Sequence, residues 1–131
     1  MAELSVPLVV IDAANVVGSV PDGWWRDRRG AAERLRDRLV GCAEAGVAGW
    51  EGPVEVVLVV EGAAREVASV PGVRVEAAAG SGDDAIVEVV AGVAPGRPCL
   101  VVTADRELRR RGGALGAGGA GPRAVRGGGA G

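Results

Sequence analysis

A chain of 131 residues with a formal charge of −2 has room for one hydrophobic core but not two, and its mild acidity argues against wholesale electrostatic binding of nucleic acid. Phe, Tyr, His and Lys are absent and every basic side chain is Arg, so the usual general base and the commonest transition-metal ligand are missing, as is the Lys needed by a P-loop, a Schiff base or a receiver-type phosphorylation site. Cys42 and Cys99 are too few for a disulfide framework or a zinc site, and the Val-rich runs fall short of the roughly 18 residues of a membrane span; buried free thiols and a cytoplasmic location are expected.

In chain order, VPLVVIDAAN at residues 6–15 is an apolar run that ends in a carboxylate. Such a run reads as a strand buried on both faces, in the middle of a parallel sheet. Residues 16–23 read as a loop with turn residues Gly18, Pro21 and Gly23, followed by the string WWRDRR. Residues 27–45 carry Ala32, Leu35, Leu39, Val40 and Ala43 on one helical stripe, with Gly46 placed to end the helix as a left-handed cap. Residues 54–60 form a second buried strand closed by Glu61-Gly62, a short helix is expected near 63–68, and 73–77 is a weaker strand leading to Gly-Ser-Gly. Residues 83–91 read as a helix stopped by the segment 95–98, residues 99–102 as another core strand, and 106–111 as a helix opened by Thr103-Ala104-Asp105. The alternation of strand and helix predicts an α/β fold, a three-layer sandwich around a mostly parallel sheet of four to five strands. Residues 1–112 are assigned to this domain. The Gly-rich tail at 113–131 is expected to add at best a thin edge strand, or to be loosely packed or disordered.

Asp12, Glu61, the pair Asp83-Asp84, and Asp105 all fall at carboxyl-terminal strand edges or at the helix starts beyond them. That is the edge where ligands bind in open α/β sheets. Several carboxylates in one cleft repel one another and call for a cation between them; oxygen donors without His or Cys suit Mg²⁺ or Mn²⁺, which activates water and clamps a phosphodiester. Each acid also has a purely structural use. Asp12 could hydrogen-bond the following loop, Asp83 and Asp84 follow Ser81 in a capping-box spacing that the helix dipole favours, and Asp105 could be an N-cap. Their shared edge is what favours chemistry.

The order DAANV, VVLVVEG, GSGDDAI, VVTADREL resembles the NYN branch of the PIN-like nucleases, especially the small bacterial YacP-like proteins, over roughly residues 5–112. The resemblance implies a Rossmann-like (PIN-like) sheet carrying a Mg²⁺- or Mn²⁺-dependent ribonuclease site. By position, Asp12, Asp83 and Asp105 would be the catalytic acids and metal ligands, with Asp84 beside them and Asn15 orienting Asp12 or a phosphate. Glu61 stands where relatives usually carry Asp, and its longer side chain shifts the carboxylate. A second departure is the tail, where relatives usually have an apolar strand and a last helix. Substrate contacts are expected from Asn15, Trp24, Arg26, Arg29 and Thr103, since Trp stacks on bases and Arg forks onto phosphates. The expected partner is single-stranded RNA, free or associated with a ribosome, and no membrane. Arg109-Arg110-Arg111 fits the dipole of a helix end better than a nucleic-acid site.

Three rivals follow from the same residues. GSGDDA matches a dinucleotide fingerprint on paper, but its two Asp would face a pyrophosphate at the helix start. A nucleoside triphosphate pyrophosphohydrolase would also use acids and Mg²⁺, yet the Glu-rich helices or long Glu-bearing box of such enzymes are missing. A non-catalytic PIN-like domain that binds RNA or a ribosome-associated partner is the third, supported by Glu61 and the weak tail.

Overall fold

The computed structural model describes residues 6–20 and 23–125. Its elements are β1 (Leu8–Asp12), α1 (Ala13–Gly18), α2 (Arg28–Ala45), β2 (Gly46–Val47), β3 (Trp50–Glu51), β4 (Glu55–Val60), β5 (Val73–Ala77), α3 (Gly82–Ala91), β6 (Cys99–Val102), α4 (Arg106–Ala114) and β7 (Gly118–Ala120). Short 3₁₀ turns lie at Trp24–Arg26, Gly62–Glu66 and Pro122–Ala124. Five strands make one parallel sheet in the order β5-β4-β1-β6-β7. The chain builds outward from β1 in one direction as far as β5, then returns to place β6 on its other side, so the topological switch point lies between β1 and β6.

The three central strands are the three continuous apolar runs, and alternation divides their side chains between two layers. Val9, Ile11, Val56, Leu58, Val60, Leu100 and Val102 pack with Ala32, Leu35 and Leu39 of α2 and with Ala13 and Val16 of α1. Leu8, Val10, Val57, Val59 and Val101 pack with Ile86 and Val90 of α3 and Leu108 of α4. Burying a Val, Leu or Ile side chain contributes about 1.5–3 kcal/mol, so these two layers are the main source of stability.

Several local readings change. Residues 16–18, expected to open a loop, and 13–15, expected to end the apolar run, together form a short helix, Ala13–Gly18. Asp12 caps it and Val16 is buried beneath it, so tertiary burial overrides the weak helix preference of Asn and Val. The helix expected near 63–68 is the 3₁₀ turn Gly62–Glu66. Gly46 does stop α2, but with φ +105 and extended ψ, and it starts the antiparallel hairpin of β2 and β3. A Cβ there would meet the carbonyl oxygen of Trp50. In the tail, β7 pairs in parallel with β6 and Val125 is buried in the α2-side layer. Cys99 is buried and Cys42 half-buried, both free. The expectations for Pro21 and for residues 126–131 lie outside the described residues. Among the described residues, no helix is long and apolar enough to cross a membrane.

Candidate active site

Pairing sets Ile11 beside Val102 and Asp12 beside Val59, which brings the ends of β1, β4 and β6 to one edge. The same alternation that buries Val10, Val59 and Val101 under α3 and α4 turns the next residues in step, Asp12, Glu61 and Thr103, toward the starts of those helices. Helix starts supply the remaining acids. Ser81 Oγ accepts the Asp84 amide at 3.2 Å and caps α3, which places Asp83 and Asp84 in its first turn. Asp105 caps α4, its Oδ1 accepting the Leu108 amide at 3.1 Å.

Asp12 is the centre of this edge. It is 6% exposed, its Oδ2 accepts the Thr103 hydroxyl at 2.9 Å and its Oδ1 accepts the Asn15 amide at 3.3 Å. Burial pushes its carboxyl above the ordinary value of 3.8; these two donors oppose the shift and the charges of Asp83 and Glu61 add to it. Asp83, half-buried, is also raised, first by desolvation and then by Asp105 and Glu61, while Arg111 acts the other way. The acids therefore sit within each other's fields.

Around them a second set of bonds fixes the frame. Thr103, fully buried, also accepts the Asp105 amide through Oγ1 at 3.1 Å, so one hydroxyl ties β1 to the cap of α4. Asn15 Oδ1 accepts the Ala104 amide at 2.8 Å and locks α1 to the loop after β6. A hydroxyl buried behind the acid orients Asp12 and does not reach substrate. Asp84 is exposed and takes a hydrogen bond from Arg111 Nη2 at 3.1 Å, across to α4. Glu61 reaches past the edge, where its Oε1 accepts the Gly82 amide at the start of α3. A Cβ on residue 82 would come within 2.9 Å of that oxygen, so glycine is what admits the longer acid.

Beside this edge, on the α1 side, lies a cavity of about 310 Å³ lined by Ala13, Val17, Trp24, Arg28, Glu61 and Gly80, among others. Trp24 and Arg28 belong to the WWRDRR string and are paired, with the guanidinium 5.1 Å from the indole centroid. Arg26 lies instead over the exposed ring of Trp25, at 5.8 Å, and Arg29 bonds Glu33 and Glu66. The structure thus brings Asp12, Asp83, Asp105, Glu61, Asn15 and Thr103 to one edge and Trp24 to the adjoining cavity, and it leaves Arg26 and Arg29 outside both. Arg28 lies in the WWRDR segment that the sequence favours for holding substrate, although Arg26 and Arg29 were the arginines singled out. Its position four residues after Trp24, spanning a turn into a helix, is the one signal that could have picked it.

The donor set is all oxygen, which suits a hard divalent cation. Among the described residues no three acidic, sulfur or imidazole side chains close into a cage. The arrangement instead offers an open set of carboxylates, compatible with the way Mg²⁺ is held, by one or two carboxylates and several waters.

No family model and no curated protein matches this chain. Among solved structures it is similar to a crystal structure of Rae1 (YacP) from Bacillus subtilis, with a TM-score of 0.74 and 15% sequence identity over 92% of this chain and 72% of that one. The likeness to YacP-like proteins read from four short motifs has its counterpart in a shared fold, a Rossmann-like α/β sandwich around a parallel sheet.

Proposed function

We propose that this protein is a divalent-metal-dependent ribonuclease that hydrolyses phosphodiester bonds of single-stranded RNA at the β1/β6 edge. The observation that carries the reading is Asp12: a buried carboxylate at the switch point, oriented by Thr103 and Asn15, with raised proton affinity and in the field of Asp83, which in turn lies in the field of Asp105. Asp83 and Glu61 act on Asp12, and Asp105 and Glu61 on Asp83, and such repulsion is relieved when a cation or a substrate group comes between the acids.

In this reading Asp12, Asp83 and Asp105 would hold Mg²⁺ or Mn²⁺, which when bound activates water and stabilises charge on the phosphoryl group. Thr103 keeps Asp12 Oδ2 in place and Asn15 keeps Oδ1 in place, so the ligand geometry is set before substrate arrives. Arg111 pairs with Asp84 and links α3 to α4 at the rim of the cluster. The fold likeness to Rae1 (YacP) supports the reading, as do the four motifs that resemble NYN/PIN-like nucleases.

The test is cleavage of a mixed-sequence single-stranded RNA in Mn²⁺, Mg²⁺ or EDTA by the wild type and by the Asp12→Asn and Asp105→Asn variants. Metal-dependent cutting that falls at least a hundredfold in both variants is expected. Cutting that survives EDTA, or that both variants retain, would sink the reading.

A further inference from the structure

The cavity beside Glu61 is not explained by metal chemistry, because its walls are mostly aliphatic. Ala13, Val17, Ala32 and Ala64 form them, with Trp24 on one side. Its volume, about 310 Å³, is at the small end of the ~300–1,000 Å³ typical of ligand pockets. Two charged groups face this apolar space, Arg28 and Glu61. Arg28 is exposed, is held over the Trp24 ring, and has no hydrogen bond or ion pair among the described residues. A pinned guanidinium with its donors unspent is built to fork onto a phosphate. Glu61 is different. Its Oε1 already accepts the Gly82 amide, which fixes the carboxylate, and its Oε2 takes no bond among the described residues.

We infer that this cavity takes one unstacked guanine of the RNA, with its phosphate on Arg28 and its Watson–Crick edge on Glu61. The inference rests on the ribonuclease reading for its source of guanine, not for its chemistry. An ionised carboxylate only accepts hydrogen bonds. Among the four bases, guanine alone sets two N–H donors side by side on that edge, N1–H and the N2 amino group, matching the free Oε2 of Glu61 and the second lone pair of its Oε1. Adenine and cytosine offer one amino donor beside an acceptor, which the carboxylate repels, and uracil offers one N–H between two carbonyls. The aliphatic walls and the indole supply the sequence-tolerant part of base binding; Glu61 supplies the choice. This also accounts for the acid's length: a Glu at this position reaches Gly82 and the cavity mouth together.

The test uses the intact protein in EDTA, so that neither a metal nor cutting is involved. Quenching of tryptophan fluorescence is titrated with GMP, AMP, CMP and UMP, and with the RNA pentamers UUGUU and UUAUU. The expected result is binding about tenfold tighter for GMP than for AMP, and for the G pentamer than for the A pentamer. Glu61→Gln should level the two bases while leaving the Tm within a few degrees, Arg28→Gln should weaken all nucleotides several-fold with the preference kept, and Trp24→Leu should remove the quench. Equal affinity for G and A, or a quench that persists in Trp24→Leu, overturns the inference. GMP selectivity without pentamer selectivity overturns the RNA source and assigns the pocket to a free nucleotide. Because binding is read without cleavage, failure here is distinct from failure of the nuclease reading, which the Asp12→Asn assay decides.

Discussion

Asp12 carries a conflict between stability and function that can be measured. Its folded carboxyl holds a proton more tightly than the unfolded one, so the stability tied to that proton is fully present below the ordinary value of 3.8 and is lost as pH rises through the raised folded value. Whenever Asp12 is ionised, the metal-free protein bears a buried charge that Asp83 and Glu61 repel. Asp12→Asn, which keeps an acceptor for the Asn15 amide, should raise the Tm of metal-free protein at pH 7 by roughly 3–6 °C, with the gain shrinking as pH falls toward 4. Millimolar Mg²⁺ should raise the wild-type Tm and not that of the variant. Thr103 makes the complementary case. Thr103→Val leaves Asp12 Oδ2 and the Asp105 amide without their partner, at a cost of about 1–3 kcal/mol, and should slow RNA cleavage ten- to a hundredfold. Thr103→Ser should restore most of both, read by urea unfolding and by rate.

At the scale of elements, two acids of the cluster double as caps, and the two jobs can be separated by substitution. Asp105 Oδ1 holds the first turn of α4 through the Leu108 amide. Asn caps as well as Asp. Asp105→Asn should therefore lose cleavage with stability within about 0.5 kcal/mol, whereas Asp105→Ala should lose cleavage and about 1 kcal/mol together. Equal stability losses in the two variants, measured by chemical denaturation, would remove the cap from the account. The N-cap of α3 was legible in the sequence as Ser81 followed by acids, because capping is local and needs no tertiary partner. The short helix α1 was not. Two Ala and the cap Asp12 favour a helix locally, but six residues are too few to declare one, and Val16 buried in the sheet layer completes it. The hairpin of β2 and β3 was hidden for a similar reason: two-residue strands carry no periodicity.

For the molecule as a whole, the glycine-rich tail is where composition and structure part most clearly. Gly118–Ala120 has poor strand propensity, yet β6 would otherwise present an unpaired edge, and backbone pairing asks nothing of side chains. The Thr103 amide donates to the Ala120 carbonyl at 2.9 Å, so this edge strand also steadies the residue that orients Asp12. Val125, 2% exposed, closes the α2-side layer. Val125→Ala should cost about 2 kcal/mol and lower the Tm by roughly 5–10 °C; an unchanged Tm would mean that the tail is dispensable to the fold.

What the sequence determined by itself is what depends on near neighbours. Three unbroken apolar runs announced central parallel strands, the 3.6-residue stripe at Ala32, Leu35 and Leu39 announced α2, and carboxylates just past strand ends announced an acidic edge. The missing His and Lys had already removed the imidazole and amine chemistries and pointed to the carboxylates. What only the tertiary structure decided is which of those groups share a space. Parallel register and alternation put Asp12, Thr103 and Glu61 on the α3/α4 side. Glu61 turned to the Gly82 amide, and Arg28, from a string of similar arginines, came over Trp24 beside it while Arg26 and Arg29 went elsewhere. Local sequence sets where a side chain leaves the backbone; partners tens of residues away, 91 between Asp12 and Thr103, set what it meets.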